Sequence, residues 1–313
     1  MDQLYKKLKE FGHVKLNEPL SKHTTFKIGG PADFFIEVKE REKLVELLNY
    51  VNGEGISYYI LGGGSNMLFS DERFEGVVIR FKSSVLTLES SNTIEAEAGV
   101  LLSSVISLAM QNSLSGLEWA VGIPGTVGGA VRGNAGAMGK HTGTSISKVE
   151  VWRNGEIVEL SAEECGFKYR GSNFQTNGDV ILRVWFTLTP GDKKVMAEEM
   201  QTYIKQRNGR YPAYASPGCF FKNFHLDKWP GNIKELPELF QQRGTVPAGW
   251  LVEQVGMKGF TNGGAKISDE HGNFIVNFND ATQHDVLTIF ENVKEKVYTK
   301  FNVELEPEVE IVK

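Results

Sequence analysis

Residues 122–139 read "GIPGTVGGAVRGNAGAMG" and hold seven glycines within the length of one helix. A glycine in a helix interior costs about 1 kcal/mol relative to alanine, so packing alone does not explain the run. Pro124 suits the first turn of a helix, and a helix N-terminus with unobstructed N–H groups binds phosphate groups. The stretch therefore predicts a pyrophosphate-binding loop at the start of a helix.

A second glycine cluster, "LGGGSNMLFSD" at 61–71, directly follows a short predicted strand. Its bare backbone brings several N–H groups toward one oxyanion, and Ser65 and Asn66 add side-chain donors. A tight turn is an equally good interpretation of this segment alone. The segment matches neither the GxGxxG nor the P-loop pattern, which excludes the Rossmann and Walker interpretations. Two such loops, about 60 residues apart, predict one extended dinucleotide ligand.

The rest of the pattern predicts an α+β protein. Apolar alternation and the Asn154-Gly155 turn predict a strand at 31–38 and a hairpin at 148–160. Helical spacing marks residues 41–52, 192–207 and 281–301. The elements do not alternate as they do in a doubly wound sheet, and Pro190-Gly191 marks a domain boundary.

Composition excludes several classes of protein. A length of 313 residues predicts two or three domains with cores that need no disulfides. The net charge of -5 argues against a nucleic-acid or membrane-surface binder. No apolar run approaches the ~18 residues of a membrane span, and the charged N-terminus lacks a signal-peptide core. Because two cysteines cannot build a disulfide framework, we expect a cytoplasmic protein.

Cys219 stands in "YPAYASPGCFFKNF" (211–224) and is an inert core residue, a metal ligand, a nucleophile or a proton donor. The six histidines are scattered, with no cysteine at ligand spacing, which argues against metal. No local signature supports a nucleophile with a paired base, although sequence does not exclude one. Arg207, Arg210, Lys222 and Lys266 supply positive charge for a diphosphate, and ordinary surface charge is the alternative interpretation.

Together these segments resemble the UDP-N-acetylenolpyruvoylglucosamine reductase family, flavoenzymes that complete UDP-N-acetylmuramate for peptidoglycan. Each motif alone is weak, but the set is specific and covers nearly the whole chain: "HTTFKIGGPADFF", "LGGGSNMLFSD", "GLEWAVGIPGTVGGAVRGNAGAMG", "YRGSNF", "GCFFKN", "AGWLVEQVGMKGFTNGGAKIS", "HGNFIVN" and "FNVELEPEVEIV". The resemblance implies an FAD-binding fold of the vanillyl-alcohol-oxidase/PCMH type with two subdomains, plus an α+β substrate-binding domain.

By this resemblance, residues 1–85 with 301–313 form the first FAD-binding subdomain, 86–190 the second, and 191–300 the substrate-binding domain. The cofactor is non-covalent FAD, and NADPH is the co-substrate. NADPH reduces the flavin, which then passes hydride to the enolpyruvyl C3 of UDP-N-acetylglucosamine enolpyruvate. The resemblance implies a cytoplasmic enzyme, and we expect a monomer that binds neither nucleic acid nor membrane.

The family's catalytic groups correspond to three residues here. The arginine of its "YR" motif is Arg170 and the glutamate of its "EPEV" motif is Glu308, and both are expected to polarise the substrate carboxylate. The family's serine protonates C2, and Cys219 stands at its position, so we expect a thiol donor. The residues expected to contact FAD are Leu61, Gly62, Gly63, Gly64, Ser65, Asn66, Met67, Gly122, Ile123, Pro124, Gly125, Thr126, Gly129, Ala130, Asn134, Ala135, Gly136 and Ala137. Those expected to contact the substrate are Tyr169, Arg210, Lys222, Asn223, Gln254, Lys266 and Asn273.

The chain also departs from the family pattern at an insert, residues 224–247. Longer family members carry a tyrosine-bearing clamp before "QRNGRYP" that this chain lacks, so the insert is either a mobile lid over the substrate or a packed surface elaboration. Two other functions stay open: an oxidase of the same fold, which NADPH-driven turnover would distinguish, and a silent flavin sensor, which loss of the serine favours.

Overall fold

The computed structural model describes residues 2–207, 209 and 211–312. Arg210, which was expected to contact the substrate, lies outside these residues. The chain forms two compact units, each built from separate stretches of sequence. The first unit comprises Met1–Glu18, Ala32–Gly63 and Phe74–Arg207, and the second comprises Pro19–Pro31, Gly64–Arg73 and Asn208–Lys313.

Helices and strands are mixed along the chain, as the sequence predicts. The helices are α1 (Asp2–Leu8), α2 (Arg41–Gly53), α3 (Leu102–Gln111), α4 (Val127–Arg132), α5 (Lys193–Arg207), α6 (Glu238–Arg243), α7 (Ala248–Gln254) and α8 (Gln283–Phe301). The strands are β1 (His13–Pro19), β2 (Pro31–Val38), β3 (Tyr58–Ile60), β4 (Met67–Phe69), β5 (Phe74–Phe81), β6 (Leu86–Leu88), β7 (Thr93–Glu97), β8 (Leu114–Ser115), β9 (Gly136–Ala137), β10 (Lys140–His141), β11 (Ile146–Arg153), β12 (Glu156–Ser161), β13 (Val180–Thr187), β14 (Thr189–Pro190), β15 (Phe224–His225), β16 (Thr245–Val246), β17 (Thr261–Asn262), β18 (Ala265–Ile267), β19 (Ile275–Asn277) and β20 (Glu310–Val312).

The first unit holds two sheets around one core. One sheet has the order β1-β2-β5-β3, and the other has the order β12-β11-β13-β7-β6. Their inward side chains, with those of α2 and α3, form a single apolar cluster, so the two expected FAD-binding subdomains form one compact unit. Helix α5 also belongs here rather than with the expected substrate domain, because Met200 and Tyr203 pack against this cluster.

The second unit is organised around α8. Its buried face, Val286, Ile289, Phe290, Val293 and Val297, packs in a cluster with the sheet β17-β18-β19. A capping box begins this helix, since Thr282 and Asp285 exchange hydrogen bonds. The C-terminal strand β20 pairs in parallel with β4.

The insert 224–247 is fixed at both ends and in the middle. Its first and last residues pair as β15 and β16. Leu236 and Phe240 are 6% and 9% exposed and belong to the apolar cluster of the second unit. The Trp229 ring lies 6.2 Å from Phe224 and 5.8 Å from Phe301. Leu236 and Phe240 are thus core contacts of the unit itself, which favours the packed surface elaboration, and the mobile lid stays an untested prediction.

Candidate active site

The two glycine clusters of the first unit touch each other. A Cβ atom on Gly63 would lie 2.6 Å from the Gly125 Cα, and one on Gly62 would lie 3.0 Å from the Thr126 hydroxyl. The backbone contact excludes a side chain at Gly63, and the contact at Gly62 is tight, so the packing of loop on loop favours glycine at both positions. The two segments that sequence assigned to one dinucleotide are thus adjacent.

Helix α4 does not offer its N-terminus to a ligand. Its first N–H groups, those of Val127 and Gly128, donate to the carbonyls of Val100 and Ala98 at 2.8 and 2.9 Å. The next, that of Gly129, is capped by the Thr126 hydroxyl at 3.3 Å. Pro124 lies before this cap rather than in the first turn. The expected pyrophosphate site at this helix end is therefore wrong, because tertiary hydrogen bonds already use its donors.

Backbone donors for a diphosphate are present in the other loop. Within the part of the chain that the structure describes, the half-buried N–H groups of Gly62 and Gly63 have no assigned acceptor. Buried N–H groups in proteins nearly always have a partner. These two groups, bare of side chains and beside Gly125, fit the oxyanions of a dinucleotide such as FAD.

Asn134 is used inside the protein rather than at a ligand. It is 1% exposed and sits just after α4 with φ +42°. Its Nδ2 donates to the Lys168 carbonyl at 2.8 Å, and its Oδ1 accepts from the Gly143 N–H at 2.9 Å. The His141 Nδ1 lies 3.2 Å from the same Oδ1. The expected contact of this side chain with FAD is wrong, since its amide already bridges three segments of the chain.

Arg170 stands at the tip of a tight turn. Lys168 and Gly171 exchange two backbone hydrogen bonds, at 2.9 and 3.1 Å, and Arg170 has φ +52°. The Arg170 guanidinium lies beside the hairpin of β9 and β10, because a Cβ on Gly136 would be 2.9 Å from the Arg170 Nη1. Burial, and then the charge of Arg170, lower the pKa of His141. A neutral imidazole thus accompanies the arginine.

Ser172 is a residue that sequence reasoning missed. Its hydroxyl donates to the Arg132 carbonyl at the end of α4 at 2.7 Å, and the side chain is 3% exposed. It ties the residue after the turn to the end of α4, and Asn134, beyond the same helix end, is bonded to the first residue of the turn. The serine directly after the "YRG" turn was the available signal.

In the second unit, Cys219 and Glu308 lie on neighbouring paired segments. Phe221 forms an antiparallel bridge with Pro307. The Glu308 N–H donates to the Phe220 carbonyl at 2.8 Å. Two of the three predicted catalytic residues are therefore brought close along the backbone. Asn66, expected at FAD, donates from its side chain to the Glu308 carbonyl at 3.1 Å.

Asn273 fixes the segment that carries Cys219. Its Oδ1 accepts from the Phe221 N–H at 2.8 Å, and its Nδ2 donates to the Phe221 carbonyl at 2.9 Å. Its own carbonyl accepts from the Phe220 N–H. The residue is 3% exposed and both ends of its amide are committed to backbone, which favours a structural role over the predicted contact with the substrate.

The two cysteines differ in environment, and neither forms a disulfide. Cys165 is fully buried, and burial raises the pKa of its thiol to about 11. Cys219 is partly exposed. The phenylalanines that follow it are core residues, and the Phe221 ring stacks on Phe290 with centroids 5.4 Å apart. The partly exposed Cys219 thus lies directly before two side chains that are buried in the core.

The remaining predicted substrate residues are spread over both units. Tyr169 is 38% exposed beside Arg170, while the Asn223 Oδ1 accepts from the N–H of the first residue of α7. Lys222 pairs with Glu306 at 3.1 Å, and Lys266 pairs with Asp269 at 2.5 Å. Both pairs are partly solvent-exposed, so a diphosphate would compete with them at low cost.

Gln254 is placed elsewhere. It lies at the exposed end of α7, where its carbonyl accepts from Lys300 on α8 at 2.6 Å. A surface depression of about 560 Å³ there is lined by Gln254, Val255 and residues of α8, and by no other predicted substrate residue. The structure does not bring Gln254 together with the other predicted substrate residues, and its contact with the substrate stays a prediction.

Arg207 is one of the four basic residues that the sequence assigned to a diphosphate, and it belongs to the first unit. Its Nη2 donates to the Trp119 carbonyl at 3.2 Å, and a Cβ on Gly122 would lie 3.7 Å from its Nη1. It therefore stands beside the glycine-rich stretch 122–139.

No helix in the described residues is long and apolar enough to cross a membrane.

Two family models match different parts of the chain. A family model described as "UDP-N-acetylenolpyruvoylglucosamine reductase, C-terminal domain" matches residues 211–312, and one described as "FAD binding domain" matches residues 32–161. The UDP-N-acetylenolpyruvoylglucosamine reductase of Caldanaerobacter subterraneus subsp. tengcongensis is 39% identical over 100% of this chain and 97% of its own. That of Carboxydothermus hydrogenoformans is 38% identical over 95% and 93%.

A solved structure gives the same result. The crystal structure of the reductase from Thermus caldophilus superposes with a TM-score of 0.77 at 33% identity, covering 96% of this chain and 99% of that one. The α+β FAD-binding fold expected from the sequence is thereby confirmed. With full-length similarity in sequence and structure, the chain belongs to the UDP-N-acetylenolpyruvoylglucosamine reductase family.

Proposed function

We propose that the chain catalyses the NADPH-dependent reduction of UDP-N-acetylglucosamine enolpyruvate to UDP-N-acetylmuramate, a step in the synthesis of peptidoglycan precursors. Full-length membership of the reductase family supports this assignment. The observation that carries it at the level of residues is the pairing of the Cys219 segment with the Glu308 segment in the second unit.

FAD supplies the redox chemistry when bound, by taking hydride from NADPH and delivering it to the enolpyruvyl C3. Gly62 and Gly63 of the first unit hold its diphosphate through their N–H groups, without a covalent bond. Gly125 and Thr126 lie against these two glycines. NADPH and one proton are consumed, and the product gains one hydrogen at C3 and one at C2.

Cys219 supplies the proton at C2. As hydride reaches C3, negative charge develops at C2 and on the carboxylate, and the thiol transfers its proton to C2. The resulting thiolate is reprotonated from solvent, to which the half-buried side chain has access. A thiol has an ordinary pKa near ~8.5, far below that of a serine hydroxyl, so the proton is given up readily.

Arg170 and Glu308 stabilise the charge that develops on the substrate carboxylate. The positive φ of Arg170 is a strained backbone state, of the kind that functional sites retain when their surroundings support it. Lys222 and Lys266 bind the diphosphate of the substrate, and this interaction replaces their ion pairs with exposed carboxylates.

The enzyme acts in the cytoplasm as a monomer and binds neither nucleic acid nor membrane. Its net charge of -5 supports this proposal, since polyanions and anionic lipid surfaces attract basic proteins.

Anaerobic mixing tests the proposed function. NADPH alone should bleach the flavin absorbance of the purified protein, and UDP-N-acetylglucosamine enolpyruvate should then restore it with stoichiometric formation of UDP-N-acetylmuramate. Flavin that is reduced by NADPH but is reoxidised only by oxygen would refute the assignment and favour an oxidase or a sensor.

A further inference from the structure

After α4 and its C-cap residue Gly133 comes an asparagine, Asn134, where glycine is the usual choice. The Asn134 N–H donates to the Val131 carbonyl at 3.1 Å, and the Ala135 N–H donates to the Ala130 carbonyl at 2.8 Å. These two bonds and the positive φ form a Schellman motif with Asn134 at its left-handed position. Glycine adopts this left-handed backbone most easily. A buried asparagine at the position therefore indicates that its side chain makes contacts that the structure needs.

That use is directed at the turn that carries Arg170. The amide donates to the Lys168 carbonyl, the first residue of the turn, while its oxygen is held by the Gly143 N–H. Two backbone groups of opposite character thus fix which end of the amide faces the turn. Ser172 holds the other side of the turn to the Arg132 carbonyl.

Arg170 needs this support for two reasons. Its left-handed backbone is strained and persists only where the surroundings determine it. Its guanidinium also lies against Gly136, on the hairpin that begins two residues after Asn134. One asparagine is therefore bonded to the turn that bears the arginine and lies next to the hairpin on which the arginine rests.

We propose that Asn134 is a positioning residue for Arg170, and that it sets the guanidinium for the carboxylate of the substrate rather than holding FAD. This proposal rests on the role given above to Arg170. A displacement of about 1 Å in a catalytic group costs up to about 100-fold in rate. Loss of the Asn134 side chain therefore slows flavin reoxidation by the enolpyruvyl substrate by about 10- to 100-fold.

The test uses Asn134→Gly in the holoenzyme, because glycine adopts the left-handed backbone without strain and leaves the helix end intact. Stopped-flow absorbance measures both half-reactions. We expect reoxidation by substrate to slow as above, while reduction by NADPH changes by less than about twofold, since no substrate carboxylate is present in that step. The dissociation constant of FAD, measured by flavin fluorescence on titration of apoprotein, stays at the parental value.

A double-mutant cycle shows whether the effect passes through Arg170. If it does, Asn134→Gly adds no further slowing in an Arg170→Ala background, because coupled residues are not additive. Asn49→Ala is the matched control: Asn49 accepts from the buried Trp152 indole at 2.7 Å in the same unit and contacts no residue of the turn. It should lower the thermal midpoint without changing the ratio of the two half-reactions.

Three results overturn the proposal. If Asn134→Gly weakens FAD binding or slows both half-reactions alike, Asn134 acts on the cofactor and not on Arg170. Slowing that multiplies with Arg170→Ala shows that Asn134 acts independently of the arginine. If the flavin of Asn134→Gly is reoxidised by substrate at the parental rate, the turn that carries Arg170 does not need the Asn134 side chain. If the parental enzyme itself fails to pass hydride to the substrate, the proposed function is wrong and this inference falls with it; in the other cases the function stands.

Discussion

Replacing Asn273 with alanine tests whether this residue holds the Cys219 strand or the substrate. In the structure the side chain makes two hydrogen bonds to one residue, Phe221, whose N–H and carbonyl are both buried. Alanine removes the side-chain partners of both Phe221 backbone groups, and Phe221 itself is 1% exposed. The variant thus buries one donor and one acceptor without partners.

The cost follows from those two groups. Each buried backbone group that loses its partner costs about 1–3 kcal/mol, so Asn273→Ala should lower the free energy of unfolding by about 2–6 kcal/mol. Total stabilities are about 5–15 kcal/mol, so the loss is large. Because Cys219 is two residues from Phe221, loosening this strand should also slow flavin reoxidation by substrate, by about 10- to 100-fold.

Urea unfolding followed by far-ultraviolet circular dichroism measures the stability, and steady-state kinetics measure KM and kcat. Asn232→Ala is the control, since Asn232 is an exposed asparagine of the same unit that bonds only to its neighbours in the insert. A change of less than about 1 kcal/mol in Asn273→Ala, together with a raised KM, would refute the structural role and restore Asn273 to the substrate.

Four further outcomes are expected. Cys219→Ser stays active, whereas Cys219→Ala is reduced by NADPH but does not convert substrate; parental turnover by the alanine variant, measured by product formation, would exclude Cys219 as the acid. Glu308→Gln slows flavin reoxidation by about 100- to 1000-fold and leaves flavin reduction unchanged in stopped-flow traces. Burial, and then the neighbouring guanidinium, lower the pKa of His141 below its ordinary 6.5, so its stabilising contribution is complete above that pH and is lost as pH falls through the lowered value. The urea midpoint of the parent should therefore fall more steeply below about pH 6.5 than that of His141→Gln. Phe240→Ala destabilises by about 3–5 kcal/mol without raising KM, while Leu239→Ala, at a 48% exposed neighbour, changes little in either assay.

Much of the fold was predictable because its elements follow local patterns. The strand at 31–38, the hairpin closed by Asn154-Gly155 and the long amphipathic helix near the C-terminus occur where periodicity placed them. The division into units was not predictable in the same way. Two sheets share one apolar cluster in the first unit, and such sharing depends on contacts between distant segments, which no local pattern contains.

The candidate site was predicted unevenly for a related reason. The motifs identified Cys219 and Glu308, and the structure pairs their segments. Asn134 and Asn273, in contrast, were assigned to ligands because an asparagine in a glycine-rich or polar motif has the same composition whether it binds a ligand or the backbone. Burial separates the two cases: both residues are at most 3% exposed, with each end of the amide bonded within the protein.

The glycines of 122–139 carry this argument one step further. Gly125 has φ +124°, which favours glycine, and its Cα leaves no room for a side chain on Gly63, while Gly136 leaves room for the Arg170 guanidinium. Close approach of backbone or of a catalytic side chain therefore accounts for glycines that sequence assigned to a phosphate. Among the described residues, the N–H groups of Gly62, Gly63 and Gly125 have no acceptor within the protein, so both loops keep backbone donors for a ligand. The glycine-rich stretch thus packs against the loop of Gly62 and Gly63 and leaves room for the Arg170 guanidinium, and its contact with FAD stays a prediction.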